Sequence, residues 1–279
     1  MWPQRRPVVA RWVRPLWSSV EASRPAVSVR LGVYGSPEAL GEPAADVIVA
    51  QLEANPSSAL ALPTGKTPLP VYRSLLKANR EGRVSFASAH VFQLDEFYPI
   101  AAEHPGSFRS FLGTEFVRYI DVDPRRVHSF DATVQDPQAE CERIEAQIEA
   151  VGGLELALLG IGENGHLAFN EPGTPFEART HVAELDEGTR EAAAYLFSSV
   201  AEVPRCALTM GLATIMGARR IILVAAGTRK AEAVRDALEG PQSTRTPASV
   251  LREHGDLVVL LDRAASRLLS ADTLGQSSP

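Results

Sequence analysis

A short apolar run followed by a glycine-rich loop, at residues 156–173, constrains the fold of this chain more than any other feature. Gly152 and Gly153 precede the run at residues 156–159, and three glycines follow it within six residues. A run bounded in this way is typical of a strand that is buried on both faces of a parallel sheet. The glycines let the backbone come close to a small molecule. We therefore expect a site where this strand ends.

The same loop carries a dense set of polar and ionisable side chains. Those nearest the glycines are Glu163, Asn164, His166, Asn170 and Glu171. Ligands of parallel α/β proteins bind at the carboxyl ends of the strands, where such loops lie. A simple strand exit with solvated side chains is the alternative, but the density of titratable groups favours a functional site.

The composition narrows the class of protein and of ligand. The 279 residues, 45% hydrophobic and 22% charged, suffice for one large domain or two smaller ones. A net charge of −6 argues against general nucleic-acid binding, so local groups must hold any anionic ligand. The sequence contains no run of eighteen apolar residues, so no membrane span is predicted. Cys141 and Cys206 lack a metal-binding spacing and fit a reducing, cytoplasmic environment.

Residues 1–25 differ from the rest of the chain. They contain five arginines, four prolines and all three tryptophans, without steady periodicity. A targeting or membrane-surface arm is one interpretation, but the apolar core and cleavage site of a secretory signal are missing. We expect a loose basic extension, followed by a single domain at residues 26–279, because no internal repeat or interdomain linker is evident.

A second glycine loop lies between a short apolar strand and a helix at residues 58–76. The strand ends at Pro63, and Gly65, Lys66 and Thr67 follow it. Thr67 is expected to cap the helix. Free backbone N–H groups and the positive end of a helix attract anions. The pattern therefore predicts an anion-binding loop.

Two more strand ends carry ionisable side chains. The predicted strand at residues 89–94 ends directly on Asp95, and the helix after the strand at residues 220–226 carries Lys230 in its first turn. A lysine at the start of a helix opposes the helix dipole, and an anion bound there would remove the conflict. Because strand ends share one edge of a parallel sheet, we expect these groups to converge.

These patterns predict an α/β fold of the Rossmann-like type, a doubly wound and mainly parallel sheet with helices on both faces and a site at the carboxyl ends of the strands. Polar residues 174–190 lack a strong period and are expected to form a mobile cover over the site. The other predicted elements are strands at 27–33 and 256–261 and helices at 44–52, 138–151, 207–216, 228–238 (capped by Thr228) and 262–269, with a further helix that begins within 104–112 (capped by Ser107).

Six segments of the chain form a recognisable series. They lie at residues 62–68, 94–97, 104–108, 160–173, 207–211 and 230–231. In this order they resemble the glucosamine-6-phosphate deaminase family, and the resemblance extends from about residue 27 to residue 269. The related 6-phosphogluconolactonases share the glycine loop and the histidine after it, but they lack the Asn-Glu-Pro-Gly sequence at residues 170–173. That sequence favours the deaminase.

The resemblance implies conversion of glucosamine 6-phosphate and water to fructose 6-phosphate and ammonia, without a metal or an organic cofactor. It implies that Asp95 is the base that moves a proton from C2 to C1. His166 would relay the proton that opens the sugar ring, with Glu171 orienting the imidazole. Asn164 stands where many members have an acid, and it can hold the imidazole without adding a charge.

The resemblance also implies a phosphate site formed by Gly65, Lys66, Thr67 and Lys230. Tyr195 aligns with an arginine that reaches the phosphate in the family, whereas Lys66 stands where a small residue is more common. We hypothesise that Lys66 replaces the missing arginine, because a dianion needs charge compensation. Alternatively, Lys66 faces the solvent, or the protein binds a different substrate. Either would explain why this chain has Tyr195 and Lys66 at these two positions.

Other readings of the sequence remain open. A lactonase-type hydrolase and a non-catalytic sugar-phosphate sensor are the alternative functions, and both monomer and homo-oligomer are compatible with the sequence. Some family members are activated by N-acetylglucosamine 6-phosphate through basic residues that align with His181 and Ala183. We expect no such activation here, because those fixed charges are absent.

Overall fold

The computed structural model describes residues 28–275, so the predicted basic extension at residues 1–25 lies outside the described residues. The described part contains ten strands: β1 (Ser28–Tyr34), β2 (Ala59–Leu62), β3 (His90–Gln93), β4 (Asp95–Tyr98), β5 (Val127–His128), β6 (Leu156–Leu159), β7 (His181–Glu184), β8 (Cys206–Thr209), β9 (Arg220–Ala225) and β10 (Asp256–Asp262). It also contains eight α-helices: α1 (Gly41–Ala54), α2 (Leu69–Arg80), α3 (Phe108–Glu115), α4 (Pro137–Ala150), α5 (Glu187–Ala193), α6 (Leu212–Met216), α7 (Ala231–Leu238) and α8 (Ala271–Gly275).

Seven of the strands form one parallel sheet in the order β1-β10-β9-β6-β2-β3-β5. The other three form a small antiparallel sheet in the order β4-β8-β7. Along the chain, β3 is added on one side of β2 and β6 on the other. The loops after these strands therefore diverge and leave a crevice at their carboxyl ends, as at the switch point of a doubly wound sheet. The predicted α/β fold is confirmed.

Helices cover both faces of the main sheet, because alternate residues of each strand enter different cores. Leu156 and Leu158 share a core with residues of α1 and α2, whereas Ala157 and Leu159 share one with residues of α4 and α7. Each fully buried leucine stabilises the fold by about 1.5–3 kcal/mol. This two-sided burial explains why β6 is a continuous apolar run in the sequence instead of an alternating one.

The predicted helix at residues 207–216 is wrong. Its first half is β8, in which Ala207 pairs with Phe97 of β4 and Ala183 of β7. Only its second half, Leu212–Met216, is helical. These partners are far apart in the chain, so cross-strand packing overrides the local pattern and periodicity cannot reveal it.

The predicted helix at residues 262–269 is also wrong. The strand β10 continues to Asp262, turns follow it, and the last helix begins at Ala271. The Asp262 carboxylate accepts hydrogen bonds from the backbone N–H groups of Gly227 at 3.1 Å and Ala265 at 2.7 Å, so it joins two loops. The polar segment at residues 174–190, expected to form a mobile cover, contains β7 and the beginning of α5.

Candidate active site

A cavity of about 540 Å³ lies at the carboxyl ends of the central strands. It is lined by residues of the loops after β2, β3, β6 and β9, together with residues from α5 and the turn after it. Among the predicted site residues, those in its wall are Gly65, Lys66, Thr67, Asp95, Asn164, His166 and Lys230. Glu171 is not in the wall, but it lies behind Asn164 and His166 and contacts both. The structure therefore brings all the predicted site residues together.

The loop after β6 folds back on itself and fixes the position of His166. The N–H of Gly162 donates to the carbonyl of His166 at 2.9 Å, and Gly165 adopts a φ of 84° at the turn. A Cβ atom at position 162 would lie only 2.4–2.5 Å from imidazole ring atoms. Only glycine therefore lets the imidazole pack against the backbone at this point.

Asn164 connects the imidazole to two acids. Its Oδ1 accepts a hydrogen bond from the backbone N–H of His166 at 3.1 Å. Its Nδ2 donates to Glu171 at 2.8 Å and to Asp186 at 3.4 Å. On the other side, Nδ1 of His166 lies 3.4 Å from Oε2 of Glu171. The amide and the carboxylate thus hold the loop and the ring in one arrangement.

Glu171 is only 6% exposed but is stabilised as a carboxylate. Burial would raise its pKa, but the adjacent imidazole of His166, the nearby Thr189 and the hydrogen bond from Asn164 lower the pKa overall. A carboxylate next to an imidazole orients the ring. The pair is suited to relaying protons.

Asp95 reaches the cavity from a different element. It is the first residue of β4, where it pairs with Thr209 of β8, and it is 7% exposed. Burial, and then the negative charge of Glu96, raise the pKa of Asp95 to about 8. A carboxyl group whose pKa lies near neutral pH is suited to taking up a proton and returning it.

Glu96, the neighbouring acid, was not predicted as part of the site and has a different task. Adjacent residues of a strand face opposite sides, so only one of the two acids can face the cavity. The Glu96 carboxylate accepts hydrogen bonds from the Ser107 hydroxyl at 2.8 Å and from the backbone N–H groups of Phe108 at 2.9 Å and Arg109 at 2.8 Å. It thereby anchors the start of α3 beside the site.

Two lysines bring positive charge into the cavity. Lys230 ends a 3₁₀ turn, Thr228–Lys230, that precedes α7. Thr228 was expected to cap this helix, but neither it nor the N-cap residue of α7 makes a side-chain capping bond. Burial lowers the pKa of Lys230, and the charge of Glu163 partly opposes that change.

Lys66, the second lysine, lies in the loop between β2 and α2, after Gly65 at a φ of 98°. Its Nζ is 4.6 Å from the centre of the Tyr195 ring. The prediction that Thr67 caps α2 is wrong, because the N-cap residue is Pro68 and no side chain caps that helix. The loop still places Gly65, Lys66 and Thr67 in the cavity wall.

Residues 174–190 were predicted to cover the site, but the sequence did not indicate which residues of α5 and of the turn after it form the cavity wall. This wall includes Asp186 and Thr189, both in the segment that lacks a strong period. Within residues 28–275, no three His, Cys, Asp or Glu side chains are grouped as metal ligands would be. In the same range, no helix has the length and apolar character needed to span a membrane.

Comparisons with known proteins agree with this architecture. The family model described as glucosamine-6-phosphate isomerases/6-phosphogluconolactonase matches residues 36–259. A glucosamine-6-phosphate deaminase of Pseudarthrobacter chlorophenolicus is 44% identical over 237 residues, which cover 85% of this chain and 91% of the relative. One of Thermoanaerobacter sp. (strain X514) is 38% identical over 237 residues, covering 85% and 94%.

Solved structures show the same fold. A monomeric glucosamine-6-phosphate deaminase is 40% identical with a TM-score of 0.84, covering 86% of this chain and 99% of the other. The 6-phosphogluconolactonase of Trypanosoma brucei is 24% identical with a TM-score of 0.70, covering 88% and 100%, and supports the fold alone. The chain therefore belongs to the family of glucosamine-6-phosphate isomerases and 6-phosphogluconolactonases.

Proposed function

We propose that the protein is a glucosamine-6-phosphate deaminase, which converts glucosamine 6-phosphate and water to fructose 6-phosphate and ammonia. The observation that carries the proposal is that Asp95, His166 and Lys230, from three separate strand ends, line one cavity. Its volume of about 540 Å³ lies in the usual range for small-molecule sites. Relatives named for this activity match most of the chain.

Ring opening is the first step, and His166 is its proton relay. The imidazole takes the proton of the C1 hydroxyl and delivers a proton to the ring oxygen, which gives the open-chain aldehyde. The Glu171 carboxylate at 3.4 Å stabilises the transient imidazolium, and Asn164 fixes the backbone next to the ring. Both partners hold the imidazole in place while it exchanges protons.

Isomerisation follows, with Asp95 as the base. The carboxylate removes the C2 proton and returns it to C1, while the C1 oxygen gains a proton that the substrate's ammonium group loses, which leaves a protonated imine at C2. Water adds to this imine, and ammonia leaves to give the ketone. The raised pKa of about 8 makes Asp95 a stronger base than an exposed aspartate. A positively charged amino group bound next to it would favour its ionised form.

The phosphate group binds to the loop Gly65–Lys66–Thr67 and to Lys230. Backbone N–H groups at the start of α2 and two ammonium groups supply the charge that a dianion requires. Because His181 and Ala183 offer no fixed positive charge, we expect no activation by N-acetylglucosamine 6-phosphate. A cytoplasmic location stays a prediction from the free thiols of Cys141 and Cys206.

Measurements of ammonia release, lactone hydrolysis and sugar binding separate two alternatives from the proposal. Purified protein is incubated with glucosamine 6-phosphate, and ammonia is measured for the wild type and for Asp95→Asn. We expect ammonia release, reduced about 10²- to 10⁴-fold in the variant. Hydrolysis of 6-phosphogluconolactone without ammonia release would instead identify a lactonase. Binding of the amino sugar without turnover would identify a sensor, and either result would overturn the deaminase.

A further inference from the structure

We propose that Tyr195 is a positioning residue of the phosphate site, whose ring holds the ammonium group of Lys66 at the cavity. The phosphate of the substrate is then bound by a pair of lysines, Lys66 and Lys230, one of which is directed by an aromatic side chain. This inference rests on the proposed function for the identity of the substrate. It assigns a task to Tyr195, which has no charge of its own with which to bind a phosphate.

The geometry brings together two residues that are distant in the chain. Lys66 lies in the loop after β2, and Tyr195 lies in the 3₁₀ turn Ala194–Leu196 that follows α5. The Lys66 Nζ is 4.6 Å from the ring centre, inside the roughly 6 Å within which a cation is attracted to an aromatic face. Both side chains line the cavity. The contact therefore holds the lysine where an anionic ligand would bind.

The energy of the contact suits a positioning task. A cation is only weakly attracted to an exposed aromatic face, and that attraction does not fully offset the entropy lost when a lysine side chain is held still. Tyr195 is 59% exposed, so the contact directs Lys66 without locking it. A bound phosphate can then supply the remaining stabilisation as an ion pair. The ring lowers the entropic cost of that ion pair by preorganising the ammonium group.

The charges around the cavity explain why a second cation is needed. Asp186 and Glu163 also line the cavity, and negative charges there oppose the binding of a phosphate dianion. Lys230 is half-buried, and burial lowers its pKa, so its charge is not fully stabilised in the free protein. Lys66 is exposed, and it adds positive charge with little desolvation.

The test compares variants that keep or remove the aromatic face. Tyr195→Phe keeps the face, whereas Tyr195→Leu keeps an apolar side chain without it. Binding of inorganic phosphate and of fructose 6-phosphate is measured by calorimetry, and KM and kcat are measured for glucosamine 6-phosphate. We expect Leu to weaken both affinities and raise KM by about 2- to 5-fold with little change in kcat. Phe should match the wild type.

Two controls make the test specific. In the Lys66→Ala background, Tyr195→Leu should have no further effect, since the ring acts through the lysine. Tyr119 offers a matched contact, because its ring lies 4.8 Å from the Arg118 guanidinium and it is 55% exposed, yet it is not part of the cavity wall. Tyr119→Leu should leave phosphate binding unchanged.

Several outcomes would overturn the inference. Unchanged phosphate binding in Tyr195→Leu would mean that the ring does not direct Lys66. An equal loss in Tyr195→Phe would assign the effect to the hydroxyl group, and full additivity with Lys66→Ala would separate the two residues. Phosphate binding is measured without turnover, so a protein that releases no ammonia but shows the expected pattern would refute the proposed function and leave this inference standing.

Discussion

The cavity has an acid-containing part, formed by Asp95, Asn164, His166 and, behind them, Glu171, and a lysine-containing part, formed by Lys66 and Lys230. The two parts are built differently. Asn164, His166 and Glu171 are joined by hydrogen bonds and close contacts of 2.8–3.4 Å, and Glu171 is almost fully buried. Lys66, by contrast, is exposed and is directed by one aromatic contact at 4.6 Å. Proton transfer requires donor and acceptor within hydrogen-bonding reach, whereas attraction between charges tolerates small displacements.

This difference predicts separate kinetic consequences. Changes in the acid-containing part should lower kcat, because they disturb interactions that matter in the transition state. Changes in the lysine-containing part should mainly raise KM, because the phosphate is bound equally in the ground state and the transition state. Three variants test this division, in order of decreasing expected effect.

Asp95→Asn should reduce kcat about 10³-fold and yet stabilise the protein in alkaline solution. The pKa of Asp95 is raised to about 8, so its contribution to stability is fully present below the unfolded pKa near 4 and is lost as the pH rises through about 8. Asparagine stays neutral and avoids that loss, which a rise of the pKa from about 4 to about 8 sets at up to about 5 kcal/mol at pH 9. Denaturant unfolding at pH 5 and pH 9 measures the difference.

The pH 5 measurement is the internal control for this prediction. At that pH Asp95 is protonated in the folded protein, and the two proteins should differ much less in unfolding free energy than at pH 9. An active Asp95→Asn protein would remove Asp95 from the chemistry. Equal stability differences at both pH values would show that its burial does not disfavour the carboxylate.

Gly162→Ala should reduce kcat about 100-fold while changing KM little. The added Cβ would lie 2.4–2.5 Å from the His166 ring, so the imidazole must move by a distance that is large for proton transfer. Gly160→Ala is the matched control in the same loop, because its Cβ would meet no atom within 4 Å, and it should lose less than about tenfold. Steady-state kinetics gives kcat and KM for both variants, and thermal unfolding compares their stability. A Gly162→Ala enzyme with kcat near that of the wild type would mean that the loop does not fix the ring.

The parts of the molecule that follow local rules could be predicted from the sequence. The parallel sheet follows from apolar runs such as residues 156–159. Asp95 was found because it directly follows a predicted strand, and Lys230 because it lies in the first turn of the helix predicted after the strand at residues 220–226. Parallel strands end at one edge, so their loops meet. The cap at Ser107 of α3, where the side chain accepts from Ser110 N–H at 3.3 Å, is likewise local.

Long-range contacts could not be predicted in this way. The antiparallel sheet joins Asp95 to Thr209 and Thr209 to His181, three segments without a local signal of their pairing. The polar segment at residues 174–190 was predicted to cover the site, but its sequence does not indicate that β7 and α5 fold so that Asp186 approaches Asn164. The contact between Lys66 and Tyr195 is of the same kind. Both residues stood out in the sequence, but only the fold shows that they touch.

Lys230→Ala should raise KM for glucosamine 6-phosphate by roughly tenfold and leave kcat within about threefold. An ionic hydrogen bond to a phosphate contributes about 1.5–3 kcal/mol, and Lys66 and the backbone N–H groups of the loop after β2 remain to bind the dianion. Arg229→Ala is the matched control, because this neighbouring cation is exposed, pairs with Glu163 at 3.3 Å and is not part of the cavity wall.

The outcome for Lys230 and Arg229 decides whether the lysine-containing part of the cavity is a binding site or only a region of positive potential. If both variants raised KM equally, the general field of the surface would be responsible, and the effect would vanish at high salt. If Lys230→Ala lowered kcat as strongly as Gly162→Ala does, the phosphate would help to position the reacting carbon atoms, and the division between the two parts of the cavity would fail. The expected result is a rise in KM for Lys230→Ala alone. The ammonium group of Lys230 is half-buried in the cavity wall and can contact the ligand directly, whereas the solvated guanidinium of Arg229 lies outside it and is screened.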